Sequence, residues 1–156
     1  EARVDAEPLA GSAAQLTIRL LGEFLVAYKQ QPVGGLGGDR PQSLLAYLLL
    51  HCDAPQSRRY LSFLLWPDSS EAQARSNLRN LFFALRQALP QADVFFASDA
   101  ATIQWRPNAP YTFDVADFRG ALAEARTHVQ AHDEAGAAHW LETALARYGG
   151  DLLPGC

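Results

Sequence analysis

Residues 71–89 carry side chains whose types and spacing suit the reading of DNA bases. Arg donates two parallel hydrogen bonds to guanine, and Asn or Gln pairs in a similar way with adenine. At about 100° per residue, one side of a helix over 71–89 presents the following candidate base-reading residues: Ser76, Arg79, Asn80, Phe83, Arg86 and Gln87. A polar helix face is equally typical of an ordinary solvated surface, so this face alone leaves both interpretations open.

The opposite side of the same segment is apolar. Leu78, Phe82, Leu85 and Leu89 follow one another at helical spacing, and such a stripe is typical of a helix packed on a core. We therefore predict a helix over 71–89 with a buried stripe on one side and the candidate base-reading face on the other.

Other polar residues flank this helix in the sequence. Arginines near a recognition helix commonly bind phosphates, which fix the register on DNA without reading its sequence. The candidates for phosphate or wing contacts are Arg58, Arg59, Arg75, Thr102 and Arg106. Each of them taken singly is also compatible with an ordinary surface position. The predicted turn at 98–101 contains Asp99 and no basic residue, so minor-groove insertion by an arginine is not predicted there.

Charge is unevenly distributed along the chain. The net charge is −4, which by itself argues against a nucleic-acid binder. Residues 15–113 nevertheless contain nine Lys or Arg against seven Asp or Glu, whereas the remaining segments contain four against ten. The acidity thus lies outside the segment with the candidate base-reading helix.

Hydrophobic periodicity and turn residues predict the other elements. We expect strands at 16–20 and 24–28, followed by a helix at 41–50 with Leu44, Leu45, Leu48 and Leu49 on its apolar face. A second helix is expected at 58–65, capped by Ser57 and with Leu61, Leu64 and Leu65 facing inward. Ser69 or Ser70 is expected to cap the third helix. The predicted aromatic core residues are Phe63, Trp66, Phe95, Trp105 and Phe113.

A β-hairpin and two helices complete the predicted order. The hairpin consists of strands at 93–97 and 102–106. The first of the two helices covers 115–129 and is expected to be capped by Asp114, and the second covers about 133–148. Strands, three helices and a hairpin predict an α+β fold, a winged helix-turn-helix with a small N-terminal β-sheet and a C-terminal β-hairpin wing.

Several motifs also resemble those of the Streptomyces antibiotic regulatory protein (SARP) family. The segments that carry the resemblance are 18–22 (IRLLG) with Phe24, 44–48 (LLAYL), 64–68 (LLWPD), 74–79 (ARSNLR) with 85–86 (LR), and 148–155 (YGGDLLPG). The resemblance implies an OmpR-type winged helix over 15–113, after a linker or tail at 1–14. It also implies a tetratricopeptide-like (TPR-like) helical pair at 114–156, the start of a bacterial transcriptional activator domain that we expect to be truncated.

The resemblance further implies a function. It suggests a sequence-specific transcription regulator, usually an activator, that binds direct repeats in promoter DNA and contacts RNA polymerase, as a homodimer or in tandem copies. An alternative stays open, because Ala84 stands where the family usually has another Arg and the pI is about 5.5. In that alternative the winged helix has lost or weakened its DNA binding, and the side with Leu81 or Phe83 meets a protein partner.

Other function classes find little support in the sequence. The glycines at 34–38 lack the Gly-Lys-Ser/Thr of a phosphate-binding loop. His128, His132 and His139 fall on two predicted helices, and Cys52 and Cys156 form no C-x-x-C pair. We therefore expect no enzyme activity, no metal and no cofactor. Because no apolar run approaches the roughly 20 residues of a membrane span, we expect a cytoplasmic protein without membrane contact.

Overall fold

The computed structural model describes residues 14–154, which form a mixed α+β fold. In chain order the elements are β1 (Leu16–Arg19), β2 (Leu25–Tyr28), β3 (Gln31–Pro32), α1 (Asp39–Leu50), β4 (Gln56–Ser57), α2 (Arg58–Leu65), α3 (Glu71–Ala88), α4 (Ala92–Phe95), β5 (Phe96–Ser98), β6 (Thr102–Trp105), β7 (Tyr111–Phe113), α5 (Asp114–Gln130) and α6 (Glu134–Arg147). The tail predicted for residues 1–14 lies, apart from residue 14, outside the described part of the chain, as does Cys156.

Two small sheets frame the three helices α1 to α3. The first sheet has the order β3-β2-β1-β7, with β1 antiparallel to β2 and parallel to β7. The second has the order β4-β6-β5 and is antiparallel throughout. Along β1, buried Leu16 and Ile18 alternate with exposed Thr17 and Arg19, the period of two that a half-buried strand requires.

The helices begin where capping side chains are available. The Ser57 hydroxyl accepts a hydrogen bond from the Tyr60 N–H at the start of α2, and the Ser70 hydroxyl accepts one from the Gln73 N–H at the start of α3, both at 3.2 Å. The predicted cap at Ser57 is thus confirmed, and of the two candidates for α3 the N-cap is Ser70 rather than Ser69.

The inner stripe of α3 is buried as predicted. Leu78, Phe82, Leu85 and Leu89 are each exposed by 4% or less, and they join the apolar face of α1 in one core. The predicted face of α1, Leu44, Leu45, Leu48 and Leu49, is likewise buried.

Two predictions about α2 are wrong. Leu64 is 44% exposed and Phe63 is 68% exposed, although we expected both to face inward. The buried side of this eight-residue helix is formed by Leu61 and Ser62, with Leu65 partly buried. At 100° per residue, Phe63 and Leu64 turn away from that arc.

The prediction of a strand at 93–97 is also wrong in its first half. Residues 92–95 form the single helical turn α4, and β5 begins only at Phe96. Gln91 adopts a left-handed conformation with φ 53° directly after Pro90. The extra turn brings Phe95 into the core, where it is fully buried and stacks on Trp105 with ring centroids 5.4 Å apart.

Asp114 does not cap α5 as predicted, because it is the first residue of that helix and Phe113 occupies the N-cap position. Its carboxylate still accepts a hydrogen bond from the Val115 N–H of α5 at 2.8 Å, and it also accepts hydrogen bonds from the backbone N–H groups of Leu20 and Leu21, at 2.9–3.0 Å. The carboxylate therefore joins the start of α5 to the end of β1.

A second set of contacts joins the segment after α6 to the residues that follow β1. The Gly22 N–H donates to the Asp151 carbonyl, and the Leu153 N–H donates to the Leu20 carbonyl, both at 2.8 Å. A Cβ on Gly22 would lie 2.3 Å from the Gly149 carbonyl oxygen, so only glycine permits this approach of two backbones.

Replacing Asp114 by Ala should lower the free energy of unfolding by about 2 kcal/mol, because the N–H groups of Leu20 and Leu21 lose their acceptor in a half-buried site. Urea denaturation followed by circular dichroism measures this change. Asp117 lies in the same first turn and is exposed, so Asp117→Ala serves as the control and should cost well under 1 kcal/mol. Equal losses in the two variants would contradict this role of Asp114.

Candidate nucleic-acid interface

The outward face of α3 contains all six candidate base-reading residues. Arg79, Asn80, Phe83, Arg86 and Gln87 are exposed, and Ser76 is partly exposed. Within residues 14–154, the side chains of Arg79 and Asn80 make no hydrogen bond or ion pair. Their donors and acceptors are therefore available to a ligand.

A polar cleft adjoins the first half of this face. It has a volume of about 340 Å³ and lies between the start of α2, the first half of α3 and the turn between β5 and β6. Its lining residues are Arg58, Ala72, Arg75, Ser76, Leu78, Arg79 and Ala100. Among the described residues, three guanidinium groups and no carboxylate line it, which is the donor set that binds a phosphate.

Arg58 is held in place by the turn between β5 and β6. Its Nε donates to the Asp99 carbonyl at 2.8 Å, and its backbone N–H donates to the Ala101 carbonyl at 2.9 Å. Partial burial lowers the pKa of the Arg58 guanidinium, Arg86 acts in the same direction and Asp99 opposes it. Arg58 remains protonated, since even a lowered arginine pKa lies far above neutrality, and it positions the turn against α2.

Arg58 and Arg86 share the ring of Phe82. Their guanidinium carbons lie 5.4 Å and 5.8 Å from the ring centroid, within the range of cation–π attraction. Arg86 also forms an ion pair with Asp93. Of the candidate base-reading residues, Arg86 is thus already engaged by neighbouring groups of the protein.

The turn between β5 and β6 is closed by Asp99. Its carboxylate accepts hydrogen bonds from the N–H groups of Ala101 and Thr102, at 2.8 Å and 2.7 Å, and from the Thr102 hydroxyl at 3.2 Å. These backbone donors lower the pKa of Asp99, and the Thr102 hydroxyl and Arg58 add to the effect. Asp99 therefore stays ionised at neutral pH, and the Thr102 hydroxyl has a partner within the turn.

The structure does not bring Arg59 or Arg106 to this cleft. Arg59 is paired with Glu71 at 3.4 Å and lines a separate groove between α2 and α3. Arg106 follows the end of β6, and its Nε donates to the Phe96 carbonyl at 3.2 Å. Because β6 runs from Thr102 to Trp105, Arg106 lies about 13 Å along the hairpin from the turn.

Sequence reasoning missed the role of Phe82 beneath the two arginines and the small residues that open the cleft. The spacing of Phe82 and Arg86, four residues apart, is a signal for their contact on one helix side. The contact of Arg58 with Phe82 joins two helices, and no spacing in the sequence indicates it. Ala72 and Ala100 line the cleft from two elements, which likewise only the fold brings together.

Residues 14–154 contain no group of three or more His, Cys, Asp or Glu side chains placed to hold a metal ion. None of their helices is both long enough and apolar enough to cross a bilayer.

Comparison with known proteins gives a match at the level of the fold. The chain superimposes on Mycobacterium tuberculosis EmbR, solved in complex with a low affinity phosphopeptide, with a TM-score of 0.73 and 22% sequence identity over 89% of this chain. The match spans 37% of the EmbR chain. No family model and no curated protein sequence matches the chain. At this identity the match supports a winged-helix fold like that of EmbR and says nothing of ligands.

Removing the Arg58 side chain should loosen the turn between β5 and β6. We expect Arg58→Ala to lower the free energy of unfolding by about 1.5 kcal/mol, because a charged hydrogen bond and a cation–π contact are lost together. Amide hydrogen exchange at Ala101 and Thr102 should accelerate in the same variant. Arg59→Ala is the matched control, with an expected cost below about 0.5 kcal/mol for an exposed ion pair. Unchanged exchange at the turn would refute this anchoring role.

Proposed function

We propose that this chain is a sequence-specific DNA-binding transcription regulator in which α3 enters the major groove. The observation that carries the proposal is the position of the arginine-lined cleft directly beside the outward face of α3. The cleft suits a backbone phosphate, and the free side chains of Arg79 and Asn80 suit base edges. In this proposal the β5–β6 hairpin is the wing.

Family resemblance supports the same proposal. The SARP-like motifs support it through the sequence, and the fold shared with EmbR is compatible with it. We extend the proposal to activation from promoter direct repeats, bound by tandem copies or a homodimer. In the proposed division, residues 15–113 bind DNA and residues 114–156 begin a TPR-like activator domain. The protein would act in the cytoplasm, with no catalytic role.

The roles within the interface follow from the contacts. We assign Arg75 and Arg58 to a phosphate in the cleft, and Arg79, Asn80 and Gln87 to base edges. The ion pair of Arg86 with Asp93 makes Arg86 a weaker candidate for base reading than the sequence suggests.

DNA selected from a random duplex pool should bind the full chain with an affinity that falls steeply with salt. Fluorescence anisotropy at several KCl concentrations measures this. Arg75→Ala should weaken binding to all sequences alike and reduce the salt slope by about 1. Replacing Arg79 or Asn80 by Ala should instead relax discrimination among sites, at about 1–3 kcal/mol for a lost bidentate contact.

Arg126→Ala provides the control for these variants. Arg126 is exposed on α5, away from the cleft, and its removal should leave the affinity and the specificity nearly unchanged. Binding that does not depend on salt, or an equal effect of Arg75→Ala and Arg126→Ala, would count against the proposal.

Exposed aromatic residues favour a second candidate function, a protein-interaction module. Tyr60 and Phe63 are 51% and 68% exposed, and with Trp66 they line a groove of about 520 Å³ between α2 and α3. Exposed aromatic clusters are enriched in protein interfaces. Leu81, by contrast, packs partly against the core, so of the two residues considered for partner contact only Phe83 is exposed. RNA polymerase is the partner that the family resemblance implies.

Phe63→Ala tests the groove as a partner site separately from DNA binding. If the groove binds RNA polymerase, this variant should bind the purified holoenzyme at least fivefold more weakly in surface plasmon resonance, since it lacks an aromatic side chain that the complex would bury. Its affinity for DNA should not change, because the groove is separate from the cleft. Val129→Ala, exposed by 59% on α5, is the control. Equal polymerase binding by wild type and Phe63→Ala would rule out this groove.

A further inference from the structure

Phe83 is an apolar side chain at the centre of the outward face of α3. It is 64% exposed, and Arg79 and Gln87 lie one helical turn before and after it. Its ring contacts no other aromatic ring within residues 14–154, whereas the ring of its neighbour Phe82 packs edge-on against Phe96 at 5.3 Å. Phe83 thus contributes little to the core, and its exposed ring is available for a ligand.

The surroundings of Phe83 change along the helix. Towards the start of α3, at the cleft, lie the guanidinium groups of Arg75 and Arg79, which have no ion-pair partner within residues 14–154. Towards its end, Arg86 is neutralised by Asp93, and the neighbouring outward residues are Ala84 and Gln87. The second half of the face is therefore neutral and partly apolar, so a phosphate is a poor complement to it.

The major groove offers one apolar group that suits such a position. Thymine carries a 5-methyl group at the groove edge, and it is bound by apolar side chains. A phenyl ring placed between an arginine and a glutamine, both able to bond the flanking base pairs, would bury this methyl group. The alternative complement, a phosphate, would leave the ring without an attractive partner.

We propose that Phe83 contacts the 5-methyl group of a thymine and so selects thymine at one position of each bound site. The proposal rests on the proposed DNA-binding function and adds a specificity-determining residue to it. It predicts that binding depends on a single methyl group on the DNA and on the Phe83 ring jointly. Gln87 and Arg79 then read the base pairs on either side.

The test removes the methyl group without altering hydrogen bonding. Each thymine of the selected duplex is replaced in turn by 2′-deoxyuridine, and dissociation constants are measured by fluorescence anisotropy for the wild-type chain and Phe83→Ala. At one thymine we expect the replacement to weaken wild-type binding about fourfold, the equivalent of burying one methyl group. The same replacement should change the affinity of Phe83→Ala by less than 1.5-fold.

Controls separate this result from general damage. Phe83→Leu retains an apolar side chain and should keep part of the discrimination, and Leu145→Ala, 70% exposed on α6, should behave as the wild type. Thermal unfolding should be unchanged in all three variants. The proposal is wrong if Phe83→Ala loses as much affinity as the wild type at every thymine that is replaced. It is also wrong if no replacement changes the affinity of the wild type. Failure to select any duplex would instead overturn the DNA-binding function itself, and this inference with it.

Discussion

The position of the Phe82 ring determines how the candidate interface is assembled. The ring lies in the core against Phe96 of β5, and Arg58 of α2 and Arg86 of α3 lie over it. Three elements therefore meet at one side chain. Because Phe82 and Phe83 are consecutive residues of a helix, burying one ring fixes the direction in which the next points.

The same junction determines where the cleft lies. Arg58 contacts the Phe82 ring with its guanidinium and holds the Asp99 carbonyl with its Nε. The turn between β5 and β6 is thereby kept beside the first half of α3, so that Ala100 forms one wall of the cleft. A shift of this turn would separate Ala100 from Arg75 and Arg79, and the cleft would lose its shape before the core was disturbed.

Most of the framework could be predicted from the sequence, because it depends on local signals. The stripe of α3 follows from helical spacing, and the cap at Ser57 follows from a hydroxyl placed before an apolar helix. The predictions failed where contacts between distant parts of the chain determine the local structure. A four-residue helix at 92–95 replaces a strand because its turn brings Phe95 onto Trp105. The carboxylate of Asp114 bonds the backbone after β1 as well as the Val115 N–H of its own helix. The candidate site residues were correctly expected to face outward on α3, but the pairing of Arg86 with Asp93 and the remoteness of Arg106 depend on the fold.

Charge gives the final constraint on the proposed function. The chain as a whole is acidic, yet phosphate binding depends on the local arrangement of cations rather than on the sum. Two of the arginines near α3, Arg58 and Arg86, have partners within the protein, and Arg59 is paired with Glu71. The cations near α3 without such a partner within residues 14–154 are Arg75 and Arg79, and Arg58 is the third guanidinium at the cleft. In the proposed function, non-specific attraction is therefore weak, and a large share of the binding free energy comes from base contacts. In an interface with few phosphate contacts, base contacts supply a larger fraction of the binding free energy. The neutral second half of α3, with Phe83 and Gln87, would then contribute more to recognition than its charge suggests.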